Sequence, residues 1–103
     1  MTNKYELIFI FNRQESVYHS SLKNVQELLK SKNVNIISEE DMKVKPLGYP
    51  VKRQLEGHYY LFVLEADSLL INELTSELKH FDEILKFMFV KLEYKKMENK
   101  RAS

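Results

Sequence analysis

An α+β sandwich with the element order β, α, β, β, α, β is predicted by three features of the sequence. Two segments carry apolar residues at helical spacing, dense strand-like runs on either side of them are apolar on both parities, and one long polar stretch follows the first helical segment.

Residues 5–11 read Tyr-Glu-Leu-Ile-Phe-Ile-Phe, apolar at 5, 7, 9 and 11 with Ile8 and Ile10 on the other parity. A strand apolar on both faces belongs at the centre of a sheet. Over residues 16–32, Tyr18, Leu22, Val25 and Leu29 recur at helical spacing, Leu28 widens the stripe, and Lys23, Gln26, Glu27 and Lys30 fall outside it. This is an amphipathic helix. Residues 34–44 combine Val-Asn-Ile alternation with Glu39-Glu40-Asp41, which predicts a long edge strand with a polar, irregular middle. Pro46 and Pro50 flank Leu47-Gly48-Tyr49 and remove two ladder donors, restricting that stretch to an edge, a bulge or a turn.

Residues 58–65 form the second dense strand. Asp67 or Ser68 then caps a helix carrying Leu70, Ile71, Leu74, Leu78 and Phe81, and residues 84–94 close the domain as a strand. Two helices on one face of a four-stranded antiparallel sheet, joined by right-handed crossovers, place the first and third strands in the centre. That is the ferredoxin-like βαββαβ, or split βαβ, arrangement over residues 1–94. Residues 95–103 carry four basic side chains against one acid and almost nothing to bury, so they are expected to be a tail disordered until bound.

With 103 residues, 44% of them hydrophobic, the chain can bury one modest core. Sixteen Lys plus Arg against fifteen Asp plus Glu leave a formal charge of +1, well below that of a stand-alone nonspecific nucleic-acid binder. Binding to nucleic acid would then rest on local patches and on a helper supplying more positive charge. The absence of cysteine removes disulfides, thiolate metal sites and cysteine nucleophiles. Met1-Thr2-Asn3-Lys4 leads at once into a strand pattern, so a cytosolic location is expected, and no apolar run approaches the ~18 residues of a membrane span.

His19, His58 and His80 fall in different elements without metal-ligand spacing and read as solvated surface histidines, with no metal expected. Glu39-Glu40-Asp41 lacks the glycine-bearing loop of a cation site and reads as a charged strand face or bulge. Gly48 and Gly57 are the only glycines, and no phosphate-cradling loop, nucleotide fingerprint or nucleophile motif occurs. No enzymatic activity and no cofactor are expected. Tyr59, Leu61 and Val63 alternate with Tyr60, Phe62 and Leu64, and only one of these sets can meet the helices. The other faces solvent, an RNA surface or another protein. Lys4, Lys45, Lys52, Arg53, Lys86 and Lys91, with Tyr5 and Tyr59, are the candidate phosphate-pairing and stacking residues. Lys43, Leu47 and Tyr49 on the edge-like segment, with Lys95, Lys96, Lys100 and Arg101 in the tail, are the candidate partner contacts.

Tyr5-Glu6 opening the first strand, Leu47-Gly48-Tyr49-Pro50-Val51, Gly57-His58-Tyr59-Tyr60 and the closing run from Ile84 to Lys91 together resemble the bacterial small-subunit ribosomal protein six family. The likeness covers residues 4–93, and Leu-Gly-Tyr-Pro-Val, similar to the family's Leu-Ala-Tyr-Pro-Ile, is its most specific part. The resemblance implies a structural constituent of the small ribosomal subunit, cytoplasmic or organellar. It also implies binding to the central domain of 16S ribosomal RNA as a heterodimer with the basic small-subunit ribosomal protein eighteen, and the near-neutral charge agrees. One departure is that Lys45 is followed by Pro46, where the family commonly has two basic residues before the motif. Two alternatives share the element order: an RNA-recognition-motif domain binding single-stranded RNA, and a regulatory domain self-associating through its open sheet face.

The basic tail offers almost no apolar side chains to a core, so truncation after Tyr94 is expected to move the melting temperature of the isolated domain by no more than about 3 °C. A larger fall in a thermal melt would show that the tail packs.

Overall fold

In the computed structural model, which describes residues 2–92, the elements are β1 (Asn3–Asn12), α1 (Glu15–Ser31), β2 (Asn35–Val51), β3 (Gln54–Ala66), α2 (Ser68–Leu78) and β4 (Ile84–Leu92). The sheet runs β2, β3, β1, β4, every neighbour antiparallel, with the first and third strands central as their two-sided apolar pattern requires.

Both helices have chemically defined ends. Glu15 sits in the first turn of α1 and Lys30 in the last, each complementing the helix dipole. At its end Lys32 N–H returns to Leu28 O and Val34 N–H to Leu29 O, while Asn33 takes a left-handed φ of 59° that asparagine tolerates. Asp67 caps α2, its Oδ1 accepting Leu70 N–H at 2.9 Å. Phe81, expected inside this helix, lies three residues beyond its end and packs against the core from the loop.

Tyr18, Val25 and Leu29 of α1 and Ile71, Leu74 and Leu78 of α2 are buried against Leu7, Phe9, Phe11, Phe62 and Leu64. Phe9 is the hub, stacked on Phe11 at 5.1 Å and edge-on to Phe62 at 5.7 Å. Such pairs add about 1 kcal/mol each beyond the area they bury. Lys32 ties the end of α1 to α2 through Glu77 at 2.7 Å and Glu73 at 3.2 Å.

β2 runs to Val51, past both prolines, rather than ending near residue 44. On an edge strand the missing donors are tolerated, and the pairing register shifts between Pro46 and Val51. The β2 and β3 hairpin therefore extends beyond the end of β1, where Asn12 faces Gly57. Its two-residue turn, Lys52 and Arg53 at φ 49° and 67°, has the left-handed backbone of a tight hairpin without the usual asparagine or glycine.

Gly57 is required by packing, because a Cβ there would collide with Ile10 Cγ2 and come within 3.4 Å of Phe11 O. Ile10 is branched at Cβ and cannot swing that methyl aside freely. Gly57→Ala is expected to cost about 1–3 kcal/mol, read as a lower urea midpoint with an unchanged m-value.

Candidate functional site

Pairing register divides the side chains between two faces. Tyr5, Leu7 and Phe9 of β1, with Leu64, Phe62 and Tyr60 opposite them on β3, face the helices. Glu6, Ile8 and Ile10, with Val63, Leu61 and Tyr59 opposite, face the uncovered side, where Met88 and Val90 of β4 join them. The uncovered face is thus apolar at its centre, and Met88 is half exposed.

Irregularities on both edge strands reset their alternation, one on β4 and three on β2. On β4 the pairing shifts between Ile10 and Phe11, so Ile84 and Leu85 are both buried while Lys86 falls opposite Ile10. On β2 it shifts between Asp41 and Lys43. Met42 and Lys45 line the open face, whereas Val44 lies beside His58 on the helix side. The transverse row through this region is Lys43, Tyr59, Ile10 and Lys86. Around it lies a depression of about 490 Å³ walled by Ile8, Ile10, Leu61 and Met88, with Tyr59, Lys45 and Lys86 beside them. Lys45 Nζ stands 5.7 Å from the centre of the Tyr59 ring. An aromatic ring beside one ammonium group, with a second lysine and the Glu6 carboxylate across an apolar floor, can take a stacked base with its phosphate at the lysine side.

The remaining candidates scatter. Tyr5 is only 7% exposed, edge-on to Phe89 on the helix side, so its expected stacking role is corrected to a core role. Lys91 pairs with Tyr5 and shares that helix-side face, away from Lys86. Lys4 lies at the far end of the open face, opposite Glu65. Lys52 donates to Asp82 O at 3.3 Å and Ile84 O at 3.0 Å, so its ammonium pins the hairpin tip to the start of β4, while Arg53 is exposed. Leu47 is half buried near Gly57, and Tyr49 is 65% exposed on the outer strand. Lys95, Lys96, Lys100 and Arg101 lie outside the described residues. The aromatic pattern of an RNA-recognition motif is not met, because Phe9, Phe11 and Phe62 point into the core and the open face of β1 offers Ile8 and Ile10.

His58 also departs from expectation. It is not a solvated histidine: its side chain is 13% exposed and lies parallel to the Tyr18 ring, 3.6 Å between centroids. Its Nε2 donates to Asp41 Oδ1 at 2.6 Å, and that oxygen also accepts Lys43 N–H at 2.8 Å. Partial burial works to raise the Asp41 pKa, but the His58 and Lys43 hydrogen bonds outweigh it and hold the carboxyl below its ordinary value. Burial, then the adjacent Asp41 charge, pushes the Tyr18 phenol up to about 12. Glu39, two residues before Asp41, accepts from Tyr60 Oη and Gln26 Nε2, both at 2.9 Å. Sequence alone could not pair His58 with Asp41, since the two meet only across the strand register. Among the described residues no cluster of three metal-ligating side chains occurs, and no helix is long and apolar enough to cross a membrane.

The profile of the family described as ribosomal protein S6 matches residues 4–91. The small ribosomal subunit protein bS6 of Treponema denticola is 34% identical over 89 residues, covering 86% of this chain and 96% of that protein. Its counterpart in Borrelia turicatae is 31% identical over 102 residues, covering 99% of this chain and 77% of the other. The crystal structure of 30S ribosomal protein S6 from Thermotoga maritima superposes with a TM-score of 0.83 at 19% identity, covering 99% of this chain and 98% of that one, and so shares the fold.

The Asp41 cluster gives acid unfolding a defined sign. A carboxyl held below its ordinary value in the fold binds its proton more readily once unfolded. Its contribution is therefore full above the ordinary carboxylate range and fades as pH falls through that range and below. Asp41→Asn is expected to lower the melting temperature at neutral pH, with the gap to the parent narrowing as pH falls through the ordinary carboxylate range and on through the lowered folded-state value. A gap independent of pH would show that the carboxylate charge contributes nothing.

Proposed function

This chain belongs to the ribosomal protein S6 family, a structural, non-enzymatic constituent of the small ribosomal subunit on the cytoplasmic ribosome, and from that premise we propose its contacts there. It binds the central domain of 16S ribosomal RNA through the open sheet face, jointly with small-subunit ribosomal protein eighteen. The observation that carries this reading is the depression in which Tyr59 lies among Lys45, Lys86 and an apolar floor.

Charge arithmetic supports the need for a basic companion. A formal charge of +1 draws few counterions from RNA, so affinity for RNA alone is low and rises when the companion adds positive charge. β2 is an edge strand of 17 residues, suited to receive an extended segment from that companion. Lys43 and Tyr49 are exposed along it, and Leu47 is half buried beside them. Arg53, exposed at the hairpin tip, adds a phosphate contact, and the basic residues Lys95, Lys96, Lys100 and Arg101 extend the contact with the companion. The chain is then a folded domain of residues 1–94 with a basic arm of residues 95–103.

Titration of a central-domain RNA fragment, with and without protein eighteen, tests this directly. Lys45→Ala combined with Lys86→Ala is expected to weaken binding about tenfold in the presence of the partner. The same pair should flatten the salt dependence by about one unit for each phosphate left unpaired. Unchanged affinity and slope would remove the open face from the RNA interface. Equal affinity with and without protein eighteen would remove the cooperative mechanism.

A further inference from the structure

We propose that Asp41 and His58 are positioning residues for RNA binding: they hold the β2 bulge whose extra residue turns Lys45 onto the open face. The inference rests on the reading of that face as the RNA contact, and it assigns a role to two side chains that do not themselves lie on it.

The argument begins with parity. Along a regular strand, side chains alternate between faces, and inserting one residue reverses every assignment beyond it. Asp41 pairs with Tyr60, a helix-side residue of β3, and Met42 beyond it lines the open face. Regular alternation would carry Lys43 back to the helix side, Val44 to the open face and Lys45 to the helix side. The structure has the reverse order, with Val44 beside His58 and Lys45 beside Tyr59. The reset occurs at Lys43, whose φ of 71° is a left-handed conformation disfavoured for lysine.

What holds that conformation is one oxygen. Asp41 Oδ1 accepts the Lys43 N–H across the bend and the His58 Nε2–H across the strand pair. The first contact closes a local turn, and the second fixes the carboxylate against β3. His58 cannot retreat, because its ring is stacked flat on Tyr18 of α1 and its side chain is largely buried. The Lys43 ammonium adds a longer contact to Asp41 Oδ2 at 3.8 Å, exposed and therefore weak. A chain of contacts thus runs from the helix layer through His58 and Asp41 to the backbone that aims Lys45. With the clasp removed, the cheapest relaxation is for β2 to slip by one residue beyond Asp41, returning Lys43 to an ordinary strand conformation. Val44 then replaces Lys45 beside Tyr59.

The experiment uses the full chain with Asp41→Ala, and Asp41→Asn as the conservative variant that keeps an acceptor for Lys43 N–H. Backbone NMR reads the pairing of β2 with Tyr59, and RNA titrations with protein eighteen present read affinity and salt slope. Asp41→Ala is expected to lose the Lys43 to Tyr59 pairing while keeping a cooperative melt, and to weaken RNA binding about threefold to tenfold with a flatter salt slope. Adding Lys45→Ala to it should cost little more, because that lysine is already misplaced. Asp41→Asn should fall between Asp41→Ala and the parent in both readouts. If Asp41→Ala fails to fold, the same comparison in Asp41→Asn and His58→Gln decides the matter. Retention of the Lys43 to Tyr59 pairing in these variants overturns the proposal, as does full additivity with Lys45→Ala. Loss of the pairing with unchanged RNA affinity and slope leaves the clasp as a register device and overturns the assignment of the open face to RNA.

Discussion

Everything on the surface of this domain depends on the twofold alternation of side chains along its strands. The central strands β1 and β3 obey it without exception over their paired length, which lets Leu7, Phe9 and Phe62 meet the helices while Ile8, Ile10 and Tyr59 face away. The edge strands have to depart from it. Each carries a bulge near the same transverse row, and each bulge brings a lysine, Lys45 or Lys86, to the side of the sheet that the helices leave open. The core needs regularity and the site needs its interruption, so the irregularities are confined to the edges, where a missing ladder bond costs least.

The polar residues bordering the helix layer stabilise that interruption. Glu39 and Asp41 are exposed residues on the helix-facing side of β2. Glu39 receives Tyr60 and Gln26, and Asp41 receives His58 and the Lys43 amide. The histidine stacked on Tyr18 links this polar layer to the aromatic one beneath, since Tyr18 is itself edge-on to Phe11 at 5.7 Å. The acidic run of β2 is therefore a bulge tied down by its acids.

On the reading proposed above, a near-neutral chain on the ribosome would gain its RNA affinity from placement more than from amount of charge. Lys52 shows that a basic residue on the surface can also serve the fold. Its ammonium is engaged by two backbone carbonyls and anchors the extended hairpin, while its neighbour Arg53 is exposed. Lys45 and Lys86 differ from it in position, both lining the apolar depression of the open face, with Lys45 beside the Tyr59 ring.

The element order, the central strands, both helical stripes and a cap at Asp67 or Ser68 were legible in the sequence because they rest on short-range periodicity and on local hydrogen bonding. The polar, irregular middle of β2 was legible too, since Glu39-Glu40-Asp41 interrupts its alternation. The buried role of Tyr5, the pairing of His58 with Asp41 and the divergence of Lys91 from Lys86 were decided only by the tertiary structure. Each depends on which residue of one strand lies opposite which residue of another. A single bulge changes that correspondence for every residue beyond it, and a local pattern that marks an irregularity does not say which residue then lies opposite which.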